Sequence, residues 1–419
     1  MTWFVILLLF ALIVLGFPIG FALMVTAAIA MAIQGIDLIM VPIQMYSGTN
    51  SVVLLAIPFF ILMGELMGAT SISERIINLA SALVGWIRGG LSHVNVVTSM
   101  FMAEMSGSAV ADAAVMSKIF VPNMERQGYP RSFAASVTAT SATLGIIIPP
   151  SIPMVLYGVT TNTSIKELFL AGIVPGILLG GAFMVTSYIF ARREGHPVDR
   201  HFEWGRLGAA ALGAAIPLMI PVIVVGGLIV GLVTPTEAAA VGALAALVFG
   251  IVLQRDLSAR RLGRLLVTTV RQTSVVMMII AGSAVLGQFL ANEQIPQKIA
   301  TGLTGLTTDP LLLTLLINLF LLFLGMFLHA SAAIIVVVPM LLPVAAQIGI
   351  DPVHFGVIVC LNLGIGQQTP PVASVLLTVC STTGLKIEQV MGYCKWFILT
   401  MFVALMIVTF TPAMALWFK

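Results

Sequence analysis

Small hydroxyl-bearing residues and glycines interrupt the apolar stretches of this 419-residue chain at two paired places. Where a helix breaks inside an apolar segment, carbonyl oxygens remain free at the end of one half and amide groups at the start of the other. Carbonyl and hydroxyl oxygens suit a small hard cation such as Na⁺, whereas free amides attract a carboxylate. The pattern predicts binding sites for a cation and an organic anion, with no catalytic residues.

The first predicted sodium site combines a short polar segment with a later double proline. Glycine permits the tight turns that such a break needs, and serine and threonine add oxygen ligands without adding charge. The residues assigned to this site are Ser106, Gly107, Ser108, Ser141, Thr143, Gly145, Pro149 and Pro150. The alternative is that these small residues only allow helices to pack closely.

The second predicted sodium site has the same parts in the second half of the chain, namely Gly325, His329, Asn362, Gly364, Gly366, Thr369 and Pro371. Because there are two such breaks, we expect at least two Na⁺ ions. The substrate is expected to contact the two short polar segments, through Ser106, Ser108, His329 and Ser331. His329 could instead titrate as a switch or be a hydrogen-bonded packing residue.

Carboxylates also lie in apolar segments, where ionisable groups are candidates for function. Glu104 and Asp112 flank the first polar segment, eight residues apart. They are expected to tune the cation site or to hold the two arms around it together. The alternative is an internal hydrogen bond or a helix cap. Glu65 lies near the end of its apolar segment, and Glu237 is expected to be an N-terminal helix charge.

The composition excludes a water-soluble fold. Hydrophobic residues make up 59% of the chain and charged residues only 8%, against about 25% charged in an ordinary soluble domain. A net charge of +3 from scattered residues does not favour nucleic-acid binding. The chain has no HExxH metal motif and no Walker-type phosphate loop, so the sequence favours neither an enzyme nor an ATP-driven pump. Three cysteines imply no disulfide framework.

Apolar stretches of about 20 residues predict a polytopic, all-α membrane protein. The predicted spans are Phe4–Ile33, Ser51–Gly68, Ser132–Thr160, Leu168–Ala191, Leu207–Leu232, Glu237–Leu253, Gln272–Leu290, His354–Cys380 and Tyr393–Leu416. Two amphipathic stretches, Ser71–Gly89 and Leu257–Arg271, are expected to lie along the interface. Ser92–Pro122 and Pro310–Gln347 are interrupted midway, which predicts two re-entrant helical hairpins.

The distribution of basic residues predicts the direction of these spans. If both hairpins return to the side that they left, all of the 19 lysines and arginines except Lys166, Lys298 and Lys419 fall on one side. By the positive-inside rule this side is cytoplasmic. The N-terminus is therefore expected in the cytoplasm, and the C-terminus is expected on the opposite, periplasmic side.

The two halves of the chain repeat the same order of elements. Each has a span with a proline near its start, a second span, an amphipathic arm, a hairpin, a span broken by a double proline, and a last apolar span. One extra helix between the halves predicts an inverted-topology repeat. The expected division is a scaffold of residues 1–92, 163–309 and 382–419, and a transport domain of residues 93–162 and 310–381.

Three segments carry a family resemblance. They read EMSGSAVADAAVMSKIFVPNMERQGYPRSFAASVTATSATLGIIIPPSIPMVLYG, SIKELFLAGIVPG and GIDPVHFGVIVCLNLGIGQQTPPVASVLL. Together they resemble the large membrane subunit of tripartite ATP-independent periplasmic (TRAP) transporters, over nearly the whole chain. The family usually has a more acidic or polar second tip and a later TPPVG motif, where this chain has His329 and Ala373.

The resemblance implies a sodium-driven elevator in the bacterial inner membrane. It also implies a small four-helix membrane subunit and a periplasmic binding protein that delivers an organic acid. Sialic acid, C4-dicarboxylates, other sugar acids and organosulfonates are all compatible substrates. The alternatives are a stand-alone sodium/dicarboxylate symporter, a gated channel and a purely structural subunit.

Overall fold

The computed structural model describes residues 2–106, 109–199, 201–255, 257–295, 298, 301–302 and 309–419. Their regular structure is helical, and one isolated β-bridge joins Arg88 and Val198. Eight helices in this part of the chain are long and apolar enough to cross a membrane. The predicted all-α, multi-pass fold is confirmed.

The α-helices of the first half are α1 Thr2–Val14, α2 Ile19–Ile33, α3 Met40–Thr49, α4 Ala56–Ala69, α5 Ile72–Val84, α6 Gly90–Ser106, α7 Ala109–Arg126, α8 Arg131–Ala142, α9 Ile152–Thr161 and α10 Ile165–Glu194. Those that follow are α11 Trp204–Val230, α12 Pro235–Val248, α13 Ala259–Asn292, α14 Pro310–Phe327, α15 Ala330–Gln347, α16 Pro352–Gly366, α17 Ser374–Thr383 and α18 Ile387–Phe410.

The predicted first span, Phe4–Ile33, is wrong as a single helix. The structure divides it into α1 and α2. Gly16 adopts the left-handed conformation with φ +86°, and Pro18, just before α2, has no amide hydrogen to continue a helix. Helix α3 was also absent from the sequence-based prediction, because its polar residues lower its hydrophobicity.

The predicted boundary between Leu257–Arg271 and Gln272–Leu290 is also wrong. The structure joins them in the single 34-residue helix α13. The polar residues around Arg271 suggested a boundary, but no proline or glycine lies between Arg264 and Ala281 to end the helix. A helix of this length spans about 50 Å at 1.5 Å per residue.

Two helix pairs occupy the predicted hairpins, α6 with α7 and α14 with α15. The two predicted broken spans are also interrupted. Between α8 and α9 the chain forms a 3-10 turn at Thr143–Ile146 followed by the cis Pro149–Pro150 bond, and between α16 and α17 it has the cis Pro370–Pro371 bond. These interruptions hold polar backbone groups inside an otherwise apolar bundle.

The hairpins and broken helices pack in a reciprocal pattern. Helix α7 of the first hairpin packs against α17, and α15 of the second hairpin packs against α9. Helices α10 and α18 pack against each other, and each of them also packs against α8 and α16. A second group forms around α13, which contacts α2, α3 and α4, while α12 packs on α4 and α11 packs on α5.

Candidate cation and substrate site

The first break lies between α8 and α9. Helix α8 tightens into the 3-10 turn Thr143–Ile146, which includes Gly145. Ser151 then begins α9: its hydroxyl donates to the Ile146 carbonyl (2.6 Å) and accepts from the Met154 amide (3.4 Å). Residues 133–156 are buried throughout, so this polar backbone is enclosed by protein. Such a break is tolerated at membrane depth only where protein or water surrounds it.

A buried hydrogen-bond network joins the first broken helix to the first arm of its hairpin. Asn95 Nδ2 of α6 donates to Thr138 Oγ1 of α8 (2.6 Å). The Ser99 hydroxyl lies 3.1 Å from the Ser141 hydroxyl, which in turn lies 3.4 Å from Asn95 Oδ1. The structure therefore places Ser141 among other side-chain oxygens. Asn95 and Ser99 were missed in the sequence, because their partners lie more than 40 residues away.

The tip of the first hairpin is only partly described. Helix α6 ends at Ser106, whereas Gly107 and Ser108 lie outside the described residues. The roles of Ser106, Gly107, Ser108 and Glu104 remain predictions. Asp112, on the second arm, is buried and faces α4 and α13.

The second break has a matching asparagine pair. Asn362 Nδ2 of α16 donates to Asn318 Oδ1 of α14 (2.6 Å) and to the Ile358 carbonyl (2.8 Å). Asn362 Oδ1 is buried without a hydrogen-bond partner among the described residues. Counted from the double prolines at 149–150 and 370–371, Asn362 holds the position that Ser141 holds in the first half. Both positions meet an asparagine from the first arm of a hairpin.

Gly325 and Gly366 approach each other closely through their backbones at the second site. A Cβ atom added to Gly366 would overlap the backbone of Gly325. The absence of side chains lets α14 cross α16 with its backbone against that of the broken helix. The structure thus brings together two residues of the predicted second site.

Two glutamines of the second break were overlooked in the sequence analysis. Gln368 Nε2 donates to the Ala139 carbonyl of α8 (2.6 Å), so it links the two breaks. Both polar side-chain atoms of Gln367, and Oε1 of Gln368, are buried without a hydrogen-bond partner in the described part of the chain. Two adjacent glutamines in an apolar segment were the available signal. Their unpaired amide oxygens are suitable cation ligands.

The two predicted sodium sites adjoin each other. The position of a Cβ on Gly364 would lie 3.8 Å from Thr143 Cβ, and α16 packs on the 3-10 turn of the first break. Thr143 donates its hydroxyl to the Thr140 carbonyl (2.6 Å), and Thr369 donates to the Ile365 carbonyl (2.9 Å). These hydroxyls keep lone pairs that can accept a further bond.

The remaining predicted residues lie at the edges of this region. His329 is the residue before α15 and is half-buried, and Ser331 is buried in the first turn of that helix. Pro371 is exposed. No hydrogen bond among the described residues ties His329 to either break, so its substrate role remains a prediction.

The start of α16 is fixed by a charged cap. The Asp351 carboxylate accepts from the Val353 amide (2.8 Å) and from Lys419 Nζ (2.6 Å). Partial burial alone would raise the pKa of Asp351, but Lys419 and the helix amides lower it below its ordinary value. The same interaction raises the pKa of Lys419. At neutral pH Asp351 therefore remains a charged cap.

Comparison with known proteins decides the family. A family model described as "Tripartite ATP-independent periplasmic transporter, DctM component" matches residues 6–414. The chain belongs to the TRAP transporter large-permease family. It is a multi-pass protein of the bacterial inner membrane, and its relatives are transporter permeases, not enzymes.

Two relatives and one solved structure show which proteins this TRAP permease is similar to. It is 43% identical to the sialic acid TRAP transporter large permease protein SiaM of Vibrio cholerae, over 87% of this chain and 86% of that protein. It is 38% identical to the C4-dicarboxylate TRAP transporter large permease protein DctM of Pseudomonas aeruginosa, over 89% and 88%. The crystal structure of the Alcanivorax borkumensis YdaH transporter matches in fold alone, with a TM-score of 0.63 at 15% identity over 88% of this chain and 85% of that one.

Proposed function

We propose that this TRAP permease couples uptake of an organic acid anion to the entry of at least two Na⁺ ions. The observation that carries the proposal is the repeated polar arrangement at the two breaks. Ser141 and Asn362 hold equivalent positions, and each meets an asparagine of a hairpin arm. The unpaired side-chain oxygens of Asn362, Gln367 and Gln368 are the kind of ligand that Na⁺ requires.

The residues that would hold the ions are those brought together at each break. In the first, Ser141, Thr143 and the carbonyls of the 3-10 turn are available. In the second, Asn362, Gln367 and Thr369 are available. Bound Na⁺ would supply positive charge, and the residues of the breaks and tips would orient the substrate carboxylate.

We also propose an elevator movement of the hairpins and broken helices. The reciprocal packing of α7 on α17 and of α15 on α9 supports an internal twofold repeat. Helices α10 and α18 pack on the broken helices, so we include them in the moving unit, in addition to the predicted residues 93–162 and 310–381. The group around α13 is the proposed scaffold. The re-entrant path of the hairpins and the cytoplasmic N-terminus belong to this proposal.

The substrate and partners follow from the relatives only as a class. The names of two relatives specify sialic acid and C4-dicarboxylates, which share a carboxylate. We propose that a periplasmic binding protein delivers such an anion and that a small membrane subunit completes the transporter. Sugar acids and organosulfonates remain within the proposed substrate class.

Proteoliposomes test this function. The full chain is reconstituted with the small membrane subunit and the binding protein, and uptake of radiolabelled sialic acid and succinate is measured in inward Na⁺ or choline gradients. Uptake that needs both Na⁺ and the binding protein supports the proposal. Uptake by the chain alone would indicate a stand-alone symporter, and ion currents far above carrier turnover would indicate a channel.

A further inference from the structure

A cavity of about 190 Å³ lies between the first hairpin and the scaffold, and no described residue of either break lines it. Met102, Ala111, Asp112 and Val115 of the hairpin line one side of it. Helices α4 and α13 supply the other side, with Ile61, Gly64, Glu65, Gly68, Ala69, Leu265 and Gln272. The small residues of α4 leave this space open: a Cβ on Gly68 would have no neighbour within 4 Å.

Among the residues that the structure describes, Asp112 is the only carboxylate on the hairpin wall of this cavity. The residue is 2% exposed, and neither carboxylate oxygen has a hydrogen-bond partner among the residues that the structure describes. An isolated buried carboxylate is strongly unfavourable unless a positive charge or hydrogen-bond donors compensate it. The cavity is the space from which such compensation can reach Asp112.

Glu65 supplies a second carboxylate from the scaffold wall. It is half-buried, and its Oε1 accepts a hydrogen bond from Gln272 Nε2 of α13 (2.9 Å). This bond leaves Glu65 Oε2 and the Gln272 amide oxygen available to a ligand. Asp112 and Glu65 thus contribute carboxylates from the two walls of one small cavity, and a cation held there would compensate the buried charge of Asp112. Gly68 and Val115 are exposed, so the cavity communicates with its surroundings.

We propose that this cavity binds one Na⁺ ion between Asp112 and Glu65. The bound ion fastens the first hairpin to the scaffold. Carboxylate, amide and water oxygens are the ligands that a small hard cation such as Na⁺ takes. The volume accommodates the ion with several water molecules, which complete its coordination. No described residue of either break lines this cavity, so the proposal rests on Asp112 and Glu65 and not on the ligands proposed at the breaks.

Binding of ²²Na⁺ to the purified full-length chain in nanodiscs, at pH 8, tests the proposal. Asp112→Asn and Glu65→Gln are expected to bind one Na⁺ fewer per chain than the wild type. Gly68→Val, which fills the cavity and keeps both carboxylates, is expected to lose the same ion. Glu74→Gln, a charge loss at an exposed position of α5, is the control and is expected to bind the wild-type number.

Thermal stability distinguishes loss of the ion from loss of structure. In choline chloride, Asp112→Asn is expected to melt at a higher temperature than the wild type, because it removes an uncompensated buried charge. In NaCl this difference should close or reverse. Unchanged Na⁺ stoichiometry in Asp112→Asn would overturn the proposal, as would a melting difference that is equal in both salts, since that indicates a protonated, purely structural Asp112.

The variant Ser141→Ala distinguishes Na⁺ binding at the first break from Na⁺ binding in this cavity. We expect the loss of Na⁺ in Ser141→Ala and in Asp112→Asn to be additive in the double variant. If only Ser141→Ala loses an ion, the interface site is wrong and the coupling sites stand. If only Asp112→Asn loses one, the interface site stands and the first break does not bind Na⁺.

Discussion

Single residues outside the membrane-spanning helices set a pH dependence of stability. His196, in the loop after α10, is buried against the rings of Tyr129 and Phe133, at centroid distances of 4.6 and 4.8 Å. Burial lowers the pKa of His196, and the Glu194 carboxylate 3.2 Å away offsets only part of this effect. The folded protein therefore holds His196 neutral at a pH where the unfolded chain is protonated.

The sign of the effect follows from this lowered pKa. The neutral His196 stabilises the fold fully above about pH 6.5, and this contribution is lost as the pH falls below that value, by at most about 1.4 kcal/mol per pH unit. We expect His196→Phe, which keeps a ring and cannot titrate, to show a flatter melting temperature between pH 6.5 and 5.5 than the wild type. Equal slopes for the two proteins would refute this role.

The predictability of the site differed from residue to residue. Ser141, Thr143, Asn362 and the double prolines could be proposed as site residues from the sequence, because polar or helix-breaking residues are conspicuous in an apolar segment. Asn95 and Asn318 could not, since a single asparagine in a helix gives no sign of the partner that tertiary packing brings to it. Glu237 was correctly read as a helix-start charge: its carboxylate accepts from the Thr234 amide (2.8 Å) in a capping box.

At the scale of elements, the contact between α14 and α16 depends on glycine. Gly366→Ala places a methyl group into the backbone of Gly325, and the two helices must separate. We expect it to destabilise the protein by about 1–3 kcal/mol and to reduce uptake strongly. The measurements are the melting temperature and the initial rate of uptake.

Gly364→Ala is the matched control for this change, two residues earlier in the same helix. Its added methyl group would meet its nearest neighbour, Ile146 Cδ1, at 3.7 Å, which is an ordinary contact. We expect wild-type stability or a gain of up to about 1 kcal/mol from the better helix propensity of alanine. If both variants behave alike, close backbone approach is not what Gly366 provides.

Element boundaries were the least predictable part of the fold. Hydrophobicity indicates where the chain is apolar, but it does not detect a left-handed glycine such as Gly16, so it predicts one helix where the structure has two. The opposite error occurred in α13, where polar residues suggested an end that no helix-breaking residue imposes. The two interruptions with double prolines were predicted correctly, because proline acts on the backbone directly.

At the scale of the whole molecule, the proposed movement separates α13 from the second hairpin. The Ser283 hydroxyl of α13 donates to the Ile335 carbonyl of α15 (2.9 Å), so these residues lie across the proposed boundary. We expect Hg²⁺ to link the pair Ser283→Cys and Ile335→Cys and to stop uptake, with recovery after excess thiol.

The pair Thr186→Cys and Thr400→Cys is the control for this cross-link. The two hydroxyls are 2.8 Å apart, between α10 and α18, which lie in the same unit of the proposed elevator. We expect this link to leave uptake close to its unlinked rate. Both proteins retain the three native cysteines, which are buried, so background reaction is matched. Full activity of the linked Ser283–Ile335 pair would exclude movement at that boundary.

The sodium dependence of uptake tests the central claim most directly. Initial rates are measured against Na⁺ concentration for the wild type, Ser141→Ala, Asn362→Ala and Ser274→Ala, the last being an exposed serine of α13 whose hydroxyl bonds only to its own helix. For the wild type and Ser274→Ala, the account predicts that the uptake rate rises sigmoidally with Na⁺ concentration, as expected for at least two ions. For each break variant it predicts that uptake needs a higher Na⁺ concentration and rises less cooperatively. Uptake independent of Na⁺, or unaltered in both break variants, would contradict it.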